Sequence, residues 1–173
     1  MSTSIVGTEK IHFGYGESRL GTVLVAQSER GVAAILLGED RAKLRAELAR
    51  AFHGVLLLED DARLADVVSR VVMLVSAPRL RPTFPLDLRG SALQLAVWAA
   101  LQTIAPGQTR TYGALAKALT IPATAQEVGA ACAANVLAVA VPCHRVVKAD
   151  GSISGYRWGV QRKRRLINME GIA

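Results

Sequence analysis

The apolar positions of the chain change their spacing near its middle. Residues 21–38, GTVLVAQSERGVAAILLG, hold two apolar runs separated by the polar Ser-Glu-Arg-Gly, a pattern that predicts a β-hairpin. In DRAKLRAELARAF (40–52), Leu44, Leu48 and Phe52 recur at helical spacing, with Asp40 placed to cap the first turn. VLLLED (55–60) predicts a further strand and DARLADVVSRVVMLVSA (61–77) a second helix. Residues 78–90 carry three prolines and no helical period, so they read as an extended connection, and the domain boundary is placed there.

Beyond it the spacing is helical. SALQLAVWAALQTI (91–104) sets Leu93, Val97, Leu101 and Ile104 on one side and ends in a Pro-Gly turn. TYGALAKALT (111–120) predicts a short helix, IPAT a break, AQEVGAACAAN (125–135) an alanine-rich helix ending at Asn135, and VQRKRRLINME (160–170) the last helix. Two short helices joined by a tight turn have the helix-turn-helix pattern, whose second helix enters a DNA groove. Many such pairs have no dealings with DNA, so the pattern alone decides nothing.

At 173 residues and 51% hydrophobic, the chain can fill one or two small cores. No apolar stretch is long enough to cross a membrane, and the first thirty residues lack a basic head followed by an apolar run, so neither a membrane span nor a signal peptide is expected. Two cysteines, Cys132 and Cys143, exclude a disulfide scaffold and a four-cysteine zinc site; no metal or cofactor is expected, and free thiols suit the cytoplasm. The net charge of +7 is lopsided. Residues 1–86 hold 11 Lys/Arg and 10 Asp/Glu, whereas 87–173 hold 10 and 4, including RKRR at 162–165. A basic half suits a polyanion such as nucleic acid, and a merely solvated basic surface suits the count equally well.

One segment breaks the apolar pattern. After AVA at 138–140, VPCHRVV (141–147) sets Cys143, His144 and Arg145 in a row behind Pro142. A thiol attacks as thiolate, and an unperturbed cysteine is mostly protonated at neutral pH, so a base within reach would matter. Neighbours on an extended strand point to opposite faces. His144 can therefore reach the thiol only across a bend at Pro142 or through a water. The bland alternative, a packed thiol beside a satisfied core imidazole, is favoured by these two residues taken alone. His12 and His53 lie in the other half.

PCHRVV followed by GSISGYRWGVQRKRRLINMEG resembles the active-site segment of the O6-alkylguanine-DNA alkyltransferases, the methylated-DNA–protein-cysteine methyltransferases, and most closely the C-terminal domain of their Ada-type members. SERGVAAILLG, LDLRG at 86–90, VWAALQTI at 97–104 and ACAANVLAVAVPCHRVV at 131–147 extend the resemblance over essentially the whole chain. It implies an α/β fold: an N-terminal α/β domain with a small antiparallel sheet (1–86), and a mostly helical C-terminal domain (87–173) holding the helix-turn-helix and the site. It implies a monomer acting on double-stranded DNA that contains O6-alkylguanine, flipping the nucleotide out and moving the alkyl group irreversibly to Cys143.

By the same resemblance His144 is the general base acting through a water, and Glu170 orients it. Asn135 ties the turn after the recognition helix to the cysteine loop, and Tyr156 donates to the leaving guanine. Val146, Val147, Arg157 and Trp158 fall at base-pocket positions. Arg157 departs from the serine of many relatives, and the Trp158 indole is expected to narrow the pocket. Tyr112, Gln126, Gly129 and Arg145 are assigned to DNA contacts. Tyr112 would press on the target phosphate, and Gly129 would let helix backbone approach the duplex. Gln126 stands where the family has an arginine finger, and Glu127 beside it is expected to repel the phosphates. A competing reading is a non-enzymatic DNA-binding regulator in which Cys143 senses alkylation or redox state. A cysteine hydrolase would also need an oxyanion hole, to which nothing in the sequence points.

Overall fold

The computed structural model describes residues 8–171. Its first element, β1 (Lys10–Ser18), is a strand that the hydrophobic pattern does not announce. Ile11, Phe13 and Tyr15 do alternate, but Gly14 and Gly16 interrupt the run and strip it of strand propensity. The glycines are there because a helix lies against them. A Cβ on Gly16 would meet Val68 Cγ1 at 2.7 Å and Val72 Cγ2 at 2.9 Å.

The predicted hairpin forms β2 (Gly21–Gln27) and β3 (Val32–Gly38), closed by Ser28 N–H donating to the Gly31 carbonyl at 2.9 Å. Helix α1 (Arg41–Ala51) follows, with the Asp40 side chain accepting from Lys43 N at 3.1 Å as a cap. Then come β4 (Leu56–Glu59) and α2 (Asp61–Ser76), capped by Asp60. The sheet order is β3-β2-β1-β4, and β4 runs parallel to β1. The sheet is therefore mixed rather than purely antiparallel: the α1 crossover returns the chain alongside β1 instead of turning it back. Leu64, Val67, Val71, Leu74 and Val75 of α2 join Ile11, Phe13 and Val25 in the core.

Residues 78–90 are extended, as their prolines predict, and they strap the outer edge of β3: Val32 N–H donates to the Pro85 carbonyl and Asp87 N–H to the Val32 carbonyl, each at 2.8 Å. Asp87 is buried. It accepts from Ser28 and from Arg89, which also grips Glu9.

Helix α3 (Ala92–Gln102) opens on a reciprocal capping box between Ser91 and Gln94. After the two-residue strand β5 (Arg110–Thr111), α4 (Tyr112–Ala118) and α5 (Ala125–Ala134) pack on each other, and α5 packs on α3. Residues 138–140, apolar enough to suggest a strand, are turns. Val139 adopts φ 68°, a left-handed backbone that costs a β-branched residue about 1–3 kcal/mol. The segment is held by a parallel bridge from Leu137 to Ile35 of β3, with Ile35 N–H donating to Val136 O at 2.8 Å and Ala138 N–H to Ile35 O at 3.0 Å. A single 3₁₀ turn (Cys143–Arg145) leads into β6 (Val146–Val147), which pairs parallel with β5, and α6 (Val160–Gly171) ends the described chain. No helix of the described residues is long and apolar enough to cross a membrane.

Candidate active site

Asn135, at the C-terminal end of α5, is where the site is assembled. Its Oδ1 accepts from Leu137 N at 2.8 Å, and its Nδ2 donates to the Val141 carbonyl at 3.0 Å and to Cys143 Sγ at 3.3 Å. One amide thus fastens both ends of the strained turn and the sulfur beyond it. The 3₁₀ conformation supplies the bend at Pro142 that an extended strand lacks, so Cys143 and His144 are not forced onto opposite faces. Cys143 is 4% exposed. Burial pushes its thiol up from the ordinary value, while the Asn135 hydrogen bond and the charge of Lys163 pull it partly back.

His144 is fully buried, with Nε2 2.8 Å from Glu170 Oε1. Burial lowers the imidazole, and the Glu170 hydrogen bond opposes this without reversing it, so the ring is neutral at rest. Burial alone would raise Glu170, but hydrogen bonds from His144 and Arg145 outweigh it and bring the carboxyl down to about 2. An ionised Oε1 beside Nε2 calls for the imidazole proton on Nε2 and leaves Nδ1 as an acceptor. Nδ1 is buried and has no protein partner among the described residues.

Arg145 corrects the sequence expectation. It does not reach outward to DNA. It is 6% exposed, its Nε and Nη2 grip Glu170 at 2.7–3.1 Å, and its remaining donors go to the Ile104 and Pro78 carbonyls. A buried guanidinium needs a carboxylate, and Glu170 supplies it.

Lys163 belongs, by sequence, to the basic run alone. In the fold it is fully buried; Nζ donates to Ser154 Oγ at 2.8 Å and to the Gly155 carbonyl at 3.4 Å, and lies 6.0 Å from the Tyr112 ring centroid. No carboxylate pairs with it among the described residues, and its charge is felt by both cysteines. The signal that points to it is helical spacing: Lys163, Leu166 and Glu170 are the buried face of α6.

The two thiols line a cavity of about 410 Å³ together with Tyr112, Gly129, Ala133, Gly155, Tyr156 and Arg157. Burial and the neighbouring Cys143 also push the Cys132 thiol up, to about 12. The Tyr156 hydroxyl is buried without a protein partner among the described residues, and burial raises it well above the usual tyrosine value. Tyr112 hydrogen-bonds Ser154, and Gly129 faces the Tyr112 ring, which an added Cβ would meet only at 3.9 Å. Gln126 is exposed on α5.

Two further expectations change. Trp158 does not line the cavity; it is buried behind Tyr156, with ring centroids 5.2 Å apart in an edge-on arrangement. Val146 and Val147 are likewise buried, as β6, and do not line the cavity. Glu127, expected to repel phosphates, is exposed and also caps the start of α5: its carboxylate accepts from Thr124 N at 3.0 Å, and its own N–H donates to Thr124 Oγ1 at 3.1 Å.

Residues 92–172 match the family described as 6-O-methylguanine DNA methyltransferase, DNA binding domain. The inducible methylated-DNA–protein-cysteine methyltransferase of Bacillus subtilis is 40% identical over 121 residues, covering 70% of this chain and 68% of that one. The chain belongs to the methylated-DNA–protein-cysteine methyltransferases. Within them it is 44% identical over 160 residues to the bifunctional transcriptional activator/DNA repair enzyme Ada of Escherichia coli, covering 92% of this chain but 45% of Ada, so it spans less than half the length of that relative. Among solved structures, Mycobacterium tuberculosis O6-methylguanine methyltransferase superposes with a TM-score of 0.75 at 30% identity, covering 93% of each chain. The DNA complex of the M. tuberculosis protein OGT gives 0.77 at 32% identity, covering 92% of each. The fold of this methyltransferase-family chain is therefore shared along nearly its whole length.

Proposed function

We propose that this protein is a single-turnover DNA repair methyltransferase of the cytoplasm. It binds duplex DNA containing O6-alkylguanine through α4 and α5 acting as a helix-turn-helix, flips the damaged nucleotide into the Cys143 cavity, and keeps the alkyl group. The observation that carries the reading is the cysteine itself: a buried thiol held by Asn135 beside the His144–Glu170–Arg145 chain, facing a cavity walled by the second helix of the pair.

The chemistry follows from the charges. At rest the thiol keeps its proton, because burial disfavours a thiolate. His144 Nδ1 accepts that proton, relayed by a water, while Glu170 steadies the imidazolium that forms. Sulfur attacks the alkyl carbon opposite O6. The S–C bond forms as the C–O6 bond breaks, and the electron pair stays on guanine. Tyr156 holds its own proton too tightly to surrender it, so it stabilises the departing base by donating a hydrogen bond. The proton on His144 finally balances the charge of the released guanine. The thioether cannot be reversed by any group present, so one protein repairs one base.

Incubation with duplex DNA carrying O6-methylguanine tests this by intact mass and peptide mapping. One methyl per protein, on Cys143, is expected; Cys143→Ala should gain nothing, and Cys132→Ala should still carry the adduct. Catalytic turnover, or no adduct on the wild-type protein, would overturn the reading.

A further inference from the structure

Arg157 is the single charged side chain among the described residues that line the Cys143 cavity. It is not idle there. Nε donates to Glu47 of α1 at 2.9 Å and Nη1 to the Ala133 carbonyl, near the end of α5, at 3.0 Å; Nη2 has no protein partner among the described residues. The ion pair joins the first helix of the N-terminal half to the loop that walls the cavity, and its side chains are 26% and 20% exposed. This carboxylate therefore holds a guanidinium at the entrance of a site for a polyanion. The pair is partly accessible to solvent and each partner is a long, flexible side chain; the guanidinium also lies 6.0 Å from the Trp158 ring centroid, which steadies it near the cavity without fixing its partner.

We propose that Glu47 stands in for a DNA phosphate: Arg157 is held by Glu47 in the free protein and exchanges it for a backbone phosphate of the duplex when the flipped nucleotide enters. Only Nε binds the carboxylate, through one oxygen, so a phosphate can take its place and also engage the unpartnered Nη2. The exchange makes Arg157 a DNA-positioning residue at the cavity, and it releases α1 from the loop as the complex forms. The α5 segment that faces DNA in the proposed function carries the uncharged Gln126, and Glu127 there is committed to its cap. Arg157 thus supplies a cation at the cavity mouth that this helix does not. The inference rests on the DNA-repair reading of the same site.

A double-mutant cycle tests it. Glu47→Gln keeps the size of the partner but weakens its hold, so affinity for a duplex bearing O6-methylguanine should rise about fivefold at low salt, with log K against log salt steeper by up to about 0.9. In an Arg157→Gln background, Glu47→Gln should change neither. An equal gain in both backgrounds would mean that removing any acid near the DNA suffices, and the exchange would be refuted. No gain in either would show that a released Arg157 makes no contact with phosphate, which refutes the exchange as well. Wild-type methyl transfer, measured alongside, separates the two claims: if no adduct forms on Cys143 the repair reading fails by itself, while the salt titrations still report whether Arg157 exchanges partners.

Discussion

Asn135 donates a hydrogen bond to the sulfur of Cys143 across 3.3 Å, and the same side chain holds Leu137 and Val141, the two ends of the turn between them. The residue that binds the proposed nucleophile is therefore also the one that keeps Val139 in its left-handed conformation. Removing it should strike stability and chemistry together. Asn135→Ala is expected to lose about 2–4 kcal/mol in chemical denaturation, since a buried N–H and a carbonyl are left unpaired, and to slow methyl transfer in single-turnover kinetics. Loss of rate with full stability would show that the turn does not depend on Asn135.

Glu170 couples folding to acidity. Its folded value, about 2, lies below the ordinary 4.5, so its ion pairs stabilise the protein above the ordinary value, and this contribution fades as the pH falls from there through about 2. His144 adds to acid lability in the same direction, by gaining a charge where Glu170 loses one. Its lowered value means the unfolded chain takes up the proton first, so stability begins to fall below about 6.5. Urea melts across this range should show both losses in the wild-type protein. Glu170→Gln should lack the more acidic one, at a cost near neutrality of about 3 kcal/mol from the stranded Arg145. An unchanged pH profile in the variant would rule out this ion chain.

Lys163 is expected to act on the thiol through its charge. Lys163→Met fills similar space, yet removes the cation that favours a thiolate at Cys143. The pH profile of Cys143 alkylation by iodoacetamide should shift to higher pH, and the rate at neutral pH should drop several-fold. Superimposable profiles would relegate Lys163 to holding Ser154.

On the DNA face, Gln126→Arg should tighten duplex binding and steepen the salt slope by about 0.9. Glu127→Gln, which keeps the capping box, should leave the α5 cap intact in thermal melts. An unaltered slope in Gln126→Arg would turn that side chain away from the duplex.

Trp158 yields an outcome opposite to the one its sequence position suggests. Because the indole is buried behind Tyr156 and not on the cavity wall, Trp158→Gly should not open room for a benzyl group. It should instead cost about 3–5 kcal/mol by leaving a hole and slow transfer of every alkyl group through a loosened Tyr156. Faster benzyl transfer, with methyl transfer unchanged, would restore the steric gate.

The helices are legible in the sequence because their apolar spacing and their caps agree: Asp40 and the residues before α3 and α5 sit where the periodic runs begin. Strand β1 is hidden, since its glycines exist for the sake of α2, a helix far along the chain, and the direction of β4 depends on a crossover and not on local pattern. At the site, Cys143, His144 and Glu170 are legible by resemblance, but the orientation of their neighbours is not. Arg145 reads as a DNA contact, and Lys163 as one cation of the basic run at 162–165. Only the fold brings the Glu170 carboxylate to Arg145 and sets Lys163 within the field of two thiols, turning each cation inward.

The bridge from Leu137 to Ile35 completes the cover of the free margin of β3, an edge strand of the sheet whose Val32 end is strapped by residues 85–87. That margin belongs to Val-Ala-Ala-Ile-Leu-Leu, a run as adhesive as any in the chain, and its natural cover is translated long after it. While the nascent chain leaves the ribosome, residues 85–87 reach the Val32 end first, but the Ile35 end of the strand waits uncovered until residues 136–138 arrive, and in that interval another polypeptide could pair with it. The loop bearing Cys143 is thus also what completes the cover of that edge during synthesis.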